Sequence, residues 1–317
     1  MRFDFVHCHG SGNDFPLIDA RDLTLDDLGW AAVARALADR GGPVGGDGLL
    51  LLGPGDREAA FAMRMFNSDG SEAETCLNGL RCVARLGFEA LGLQAATVRL
   101  KTSVAAVARD REVAPGVCTV RERAAPASLS VGEWPMDIGV EQVVEQPIPA
   151  LCSERAFTAV AMPNPHLVSF VEEVDERELV AVGERCEAAP AWLPNRANVS
   201  FVEQRGADTL FVRTFERGVG LTDSCGSAMA ASAYAACLSG RMAWGATLTV
   251  LNKGGLVLAC AELDGAVTLS GNATWEWAGS VNVDLKRGIA SELIVERRFD
   301  EEVAAWAGVK ERASQGA

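Results

Sequence analysis

Two cysteines sit in matching settings. Arg64 to Gly79 reads RMFNSDGSEAETCLNG, and Arg213 to Ala228 reads RTFERGVGLTDSCGSA. In each stretch an arginine is followed two residues on by Phe66 or Phe215, and ten further on by Cys76 or Cys225, so all three recur at one offset of 149 residues. Each cysteine opens an alanine- and leucine-rich run, LNGLRCVARLGFEALG or GSAMAASAYAACLSG, that reads as a helix. The thiol therefore stands where a loop becomes a helix N-terminus. Unpaired backbone N–H groups and a partial positive charge there favour thiolate over thiol and hold an anion beside it. Two such thiols meeting across an interface would supply one base and one acid on opposite sides of a bound carboxylate. The other seven cysteines, Cys8, Cys82, Cys118, Cys152, Cys186, Cys237 and Cys260, lack this setting and are expected to be buried structural thiols.

The elements that must position these loops follow from the pattern. Residues 3–20 alternate and turn at HGSGNDF, giving strand, tight loop and strand. Thr24 is expected to cap a helix with Asp27 in capping-box position, and Leu25, Leu28, Val33 and Leu37 form its apolar stripe. The glycine-rich GGPVGGDG lacks a Gly-Lys-Ser/Thr ending and precedes the strand LLLL at 49–52, so it reads as a turn, not a phosphate loop. The first central helix ends near Gly92. Two or three strands fill 97–123, a linker spans 125–128, and strands continue through 129–171 with a turn at MPNPH. A helix over 175–186 leads to LPNRANVSFVEQ, a turn and a strand; strand 209–215 then delivers the second cysteine loop. Short strands separated by glycine or asparagine turns follow, and beyond Gly288 a strand SELIVE and a charged helix near 300–312 read as a peripheral cap. Strands outnumber helices, and each half has one long helix to wrap. The fold class is α+β with two similar lobes, 1–126 with 272–317 and 127–271, and not a doubly wound parallel sheet.

Composition narrows the function. A net charge of −14 and a sequence pI near 4.8 argue against a nucleic-acid or anionic-membrane surface. Nine cysteines with no CxxC, and a strand-like start, fit a reduced cytoplasm, and the longest uncharged run is too short for a membrane span. No metal is expected, because strand alternation puts Cys8 on the opposite face from His7 and His9.

Taken with HGSGNDF, VGGDG, MPNPH and LPNRANV, the two cysteine loops resemble the diaminopimelate epimerases, a cofactor-independent amino-acid racemase family, from the first residues to about Leu285. The resemblance implies two pseudo-symmetric lobes, each an antiparallel strand roll or barrel around a central helix, with the last strands returning to the first lobe. It implies Cys76 and Cys225 as the catalytic pair, with no cofactor. It assigns Asn13, Asn67, Asn164, Asn198, Glu216 and Arg217 to substrate contact, and the helix starts Leu77–Asn78 and Gly226–Ser227 to the reacting carboxylate. His166 is a supporting candidate. The family usually has glycine where Leu77 follows the first cysteine, alanine where Ser224 precedes the second, and a further glycine where Ala228 stands; Pro16 is also unusual.

The implied reaction is epimerisation of LL-2,6-diaminopimelate to the meso form, feeding lysine and cell-wall precursors. Without pyridoxal phosphate the carbanion must be stabilised by fixed dipoles, and the thiol and thiolate exchange roles between directions. Leu77 and Ala228 motivate an alternative, a racemase of another amino acid in the same fold. A silent amino-acid-binding protein would not need both cysteines. A pyridoxal-phosphate enzyme ranks last, since none of the four lysines, Lys101, Lys253, Lys286 and Lys310, lies in a site loop. The expected partner is a small amino-acid substrate, with a homodimer as the assembly.

Overall fold

The computed structural model describes residues 1–74 and 76–315. Contacts divide the chain into two units, Met1–Glu122 with Ser270–Val309, and Arg123–Leu269 with the chain from Lys310 onward. The sequence reading puts the boundaries at 126/127 and 271/272 and keeps the whole tail with the first lobe.

In the first unit β1 (Arg2–Gly10) and β2 (Asn13–Asp19) form a hairpin, and helix α1 (Asp27–Ala38) then carries the chain to β3 (Gly48–Pro54), parallel to β2. Strand β4 (Phe61–Asn67) returns antiparallel to β3 and leads into helix α2 (Leu77–Leu91). Strand β5 (Ala95–Arg99) lies parallel to β4, and β6 (Val104–Arg109) and β7 (Thr119–Arg123) follow in antiparallel order. Helix α2 packs against β1 through β6, so six strands surround it. The LLLL run serves two cores: Leu50 and Leu52 face α2 with Leu80, Val83 and Phe88, whereas Leu49 and Leu51 face α1 with Trp30, Val33 and Leu37. Burial on both faces is why this strand shows no alternation. Glycine at Gly92, in the left-handed region, ends α2.

The second unit repeats this order. A two-residue strand β8 (Gln146–Pro147) pairs with β9 (Ala156–Ala161), which forms a hairpin with β10 (Pro165–Val171). Helix α3 (Glu176–Glu187) leads to β11 (Asn198–Gln204), parallel to β10, and β12 (Thr209–Glu216) returns antiparallel. A short β13 (Gly220–Thr222) precedes helix α4 (Gly226–Leu238), and β14 (Thr247–Asn252) lies parallel to β12 with β15 (Gly255–Ala261) antiparallel beside it; β16 (Val267–Asn272) follows. Helix α4 packs against β9 through β12, β14 and β15 and is buried almost all round, as its uniformly apolar, small-residue sequence requires. The helix starts Asp27 and Glu176, and Leu77 and Gly226, are each 149 residues apart, the spacing of the two cysteines. Strand β17 (Thr274–Asp284) pairs with β1, and β18 (Ile289–Arg298) pairs with β17 before helix α5 (Asp300–Gln315).

The architecture is thus α+β with one wrapped helix per unit, and its hairpins are joined by parallel pairs across each helix. Three local expectations are corrected. The cap of α1 is Asp26, whose carboxylate accepts from the Gly29 N–H, not Thr24; the helix starts later, and Leu28 is 79% exposed and outside the stripe. Residues 129–155 hold almost no strand. Pro135, Pro147 and Pro149 interrupt pairing there, and Val131, Trp134, Met136, Ile148 and Leu151 instead anchor an irregular segment in the core beneath α3. The tail helix is bound more firmly than a peripheral cap. Trp306 and Val309 are buried, and Glu302 makes a two-point ion pair with Arg85 of α2. Among the described residues no helix is long and apolar enough to cross a membrane.

Candidate active site

The loop from β4 to α2 delivers Cys76 to the N-cap of the central helix in extended backbone (φ −151°, ψ 104°), where its Sγ accepts from the Gly79 N–H at 3.3 Å. A Cβ at residue 79 would lie 3.4 Å from Sγ and 2.7 Å from Leu50 Cδ2, so glycine keeps this approach open. The first hairpin brings Asn13 to the same thiol, with Oδ1 3.8 Å from Cys76 Sγ. Asn13 Nδ2 donates to Asp47 in the glycine-rich turn, and Arg40 bridges Asp47 and Asp14. Asn67, the last residue of β4, is bonded within its own turn, Nδ2 donating to Ser71 Oγ at 2.9 Å. Asn78 is buried and its Oδ1 accepts from Arg81 at 2.7 Å. Leu77, half-buried, packs against the core around α2.

The second unit has its own cluster. Cys225 caps α4 in a similar extended conformation (φ −125°, ψ 111°), is 7% exposed, and lies 3.5 Å from Ser227 Oγ. Gly226 is buried and opens the helix. Parallel pairing of β10 and β11 sets His166 opposite Asn198. His166 Nε2 lies 3.1 Å from Asn164 Oδ1, and Asn198 Oδ1 accepts from the Arg217 backbone N–H at 2.9 Å, so Asn164, His166, Asn198 and Arg217 form one chain of contacts. Burial, and then the Arg217 guanidinium, push His166 down to about 3, so the ring is neutral near pH 7. The Arg217 guanidinium donates to the Asn195 carbonyl at 3.0 Å, and Glu216 ends β12 half-buried beside it. Behind Cys225, Asn252 Nδ2 donates to Ser224 Oγ at 3.1 Å. Two buried atoms there, Thr222 Oγ1 and Asn252 Oδ1, have no hydrogen-bond partner.

The remaining cysteines differ in setting. Burial pushes Cys186 up to about 12 and Cys237 up to about 11, and raises Cys8, Cys118 and Cys260 as well. Three depart from the expectation of burial: Cys118 and Cys260 are only half-buried, and Cys152 is exposed, in left-handed backbone (φ 48°) after a turn of 3-10 helix. Cys8 faces the core, while His7 Nδ1 sits 2.6 Å from Glu276.

Against this geometry, the sequence pattern described as diaminopimelate epimerase matches residues 5–108 and 158–276. The chain belongs to the diaminopimelate epimerase family. The diaminopimelate epimerase of Clostridium acetobutylicum is 36% identical over 312 residues, covering 96% of this chain and 93% of that one. That of Enterococcus faecalis is 39% identical over 277 residues, covering 84% and 85%. Two solved structures share the fold: a hydroxyproline epimerase from Agrobacterium vitis (14% identity, TM-score 0.62, covering 90% of this chain and 92% of that one) and a methylitaconate-delta-isomerase (14%, 0.64, 92% and 98%).

Within this diaminopimelate epimerase family member, sequence reasoning missed Asp47 and Arg81, which bond the candidate residues Asn13 and Asn78, and Asn252 and Asn272, which bond the neighbouring Ser224 and Ser11. Asp47 had a signal, because VGGDG is one of the loops of the resemblance. Asn252 and Asn272 end strands and look like ordinary turn residues.

Proposed function

We propose that this isomerase inverts one α-carbon of LL-2,6-diaminopimelate to give the meso isomer, with Cys76 and Cys225 as the acid–base pair. One cysteine, as thiolate, takes the α-proton; the other, as thiol, delivers its proton to the opposite face. The C–H bond broken and the C–H bond formed leave the substrate's composition unchanged, and the two thiols end in exchanged states ready for the reverse reaction. Because their states are linked, their titration belongs to the pair. The observation that carries this reading is that both cysteines cap the wrapped helix of their own unit at the same place in the repeat. Backbone N–H groups at Leu77–Asn78 and Gly226–Ser227 would stabilise the carboxylate as negative charge spreads into it.

In this reading Asn13, Asn67, Asn164 and Asn198 bind the substrate with Glu216 and Arg217, Glu216 taking an ammonium group and Arg217 clamping a carboxylate. The chain of contacts from Asn164 to Arg217 supports a supporting role for His166, since a neutral ring there can hold two asparagines without adding charge. Packing of Leu77 against the core around α2 favours diaminopimelate over the alternative of another amino acid, because it keeps the bulk of that side chain off the helix start. An odd count of nine cysteines with no CxxC supports a reduced, cytoplasmic setting. Exposed Ile289, Ile294 and Val295 on β18 support a homodimer.

The test is α-proton exchange followed by NMR in deuterated, reducing buffer, with LL-diaminopimelate and with single-headed amino acids. Exchange and inversion of diaminopimelate alone is the expected result. Exchange confined to another amino acid would move the substrate, and no exchange of any would overturn the reading.

A further inference from the structure

The first unit holds a fully buried arginine with no counterpart in the second. Arg81 lies on α2, five residues after Cys76, at 0% exposure. Its Nε donates to the Asn272 carbonyl at 3.0 Å, Nη1 to Glu122 Oε1 at 2.7 Å, and Nη2 to Ser11 Oγ at 3.1 Å and Asn78 Oδ1 at 2.7 Å. One guanidinium thus ties together the β1–β2 loop, the first turn of α2, β7 and β16. The repeat offers an internal comparison: 149 residues on, the position is Ala230, buried in α4. A wrapped helix of this fold therefore does not require arginine there. Removing a guanidinium and a carboxylate from water costs several kcal/mol per ion before their attraction is counted, so packing alone is a poor reason for the pair.

We propose that Arg81 is a positioning residue that fixes the Ser11–Asn13 loop and the first turn of α2 around Cys76. The proposal rests on Cys76 being one of the two acid–base groups. Ser11 is held in left-handed backbone (φ 52°), a conformation a serine keeps only when its surroundings impose it. Two contacts do so: the Ser11 N–H donates to Asn272 Oδ1 at 2.7 Å, and its hydroxyl accepts from Arg81. Asn13, two residues further on, then places Oδ1 beside the Cys76 thiol. Asn78 is pinned by the same guanidinium, so the loop and the helix start share one anchor. A lysine could not replace it, because a single ammonium cannot reach acceptors spread over three nitrogen positions.

The experiment measures kcat and KM for exchange together with the pH profile of alkylation by iodoacetamide, resolved by peptide mass spectrometry at Cys76 and Cys225, in wild type, Arg81→Lys, Ser11→Ala and Glu122→Gln. Arg81→Lys is expected to lower kcat by about 10²-fold, the penalty of roughly 1 Å of misplacement, and to shift the Cys76 profile while that of Cys225 stays as in wild type. Glu122→Gln keeps an oxygen acceptor for Nη1 and should preserve the Cys76 profile. Ser11→Ala removes one acceptor and should shift it in the same direction as Arg81→Lys, which carries the test if the lysine variant does not fold. An unchanged Cys76 profile with kcat within about threefold of wild type overturns the proposal. So does a parallel change at both cysteines, which would make Arg81 a general stability residue. Failure of the wild type to exchange α-protons would instead overturn the functional reading, visibly and separately from the alkylation result.

Discussion

Replacing Gly10 by alanine would push the first hairpin against the start of α2. Gly10 is the last residue of β1, and a Cβ there would lie 2.5 Å from the Asn78 carbonyl oxygen and 3.0 Å from its C and Cα atoms. These are backbone atoms of the first turn of α2, so no side chain can swing aside. Ordinary contact begins near 3.4 Å, and the two segments must separate by about 0.9 Å. Either the loop carrying Asn13 or the helix start beside Cys76 moves. Overpacking of this kind destabilises by about 1–3 kcal/mol, and a misplacement near 1 Å at reacting groups costs about 10²-fold in rate. The assay is steady-state epimerisation of LL-diaminopimelate alongside thermal and urea unfolding. Gly10→Ala is expected to lose about 10²-fold in kcat while remaining folded at 25 °C. A kcat within twofold of wild type, with unchanged unfolding, would refute the argument that this approach sets the geometry at Cys76.

Three further outcomes test other parts of the account. His166 is held near 3 when folded against about 6.5 when unfolded, so its contribution to stability is present above pH 6.5 and is lost as pH falls toward 3. At pH 5 the loss is roughly 2 kcal/mol, and His166→Gln should flatten that part of the curve of unfolding free energy against pH; an identical slope would contradict it. Asp26→Ala should destabilise by about 1 kcal/mol through loss of the α1 cap, whereas Thr24→Ala should stay within about 0.5 kcal/mol; urea unfolding of both checks the assignment. Glu302→Ala leaves the mostly buried Arg85 without its two-point partner and should cost about 2–3 kcal/mol, read as a lowered Tm, whereas an unchanged Tm would return α5 to a loosely attached cap.

Much of the fold is legible because the repeat is written in spacing. Arginine, phenylalanine and cysteine at one offset fix where each wrapped helix begins, and glycine at Gly92 marks where the first one ends. The parallel pairs β2–β3, β4–β5, β10–β11 and β12–β14 are not legible, since a strand's side-chain alternation is the same whichever direction its neighbour runs. Residues 129–155 mislead because valine, isoleucine and tryptophan there resemble strand residues but are spent on anchoring an irregular segment. At the site, the cysteines and asparagines stand out through their motifs. Arg81, Asn272 and Glu122 do not, because an arginine one turn into an amphipathic helix normally reads as solvent-facing, and only the three-dimensional arrangement shows it at 0% exposure with its donors aimed at four partners.

The central claim is that two thiols, one from each unit, perform the inversion. It is tested most directly by following LL-diaminopimelate in deuterated, reducing buffer with wild type, Cys76→Ser and Cys225→Ser. The account predicts deuterium incorporation with inversion in wild type and loss of inversion in each single variant, by about 10³-fold or more since neither half of the acid–base pair works alone. Inversion at a wild-type rate in either variant would contradict it.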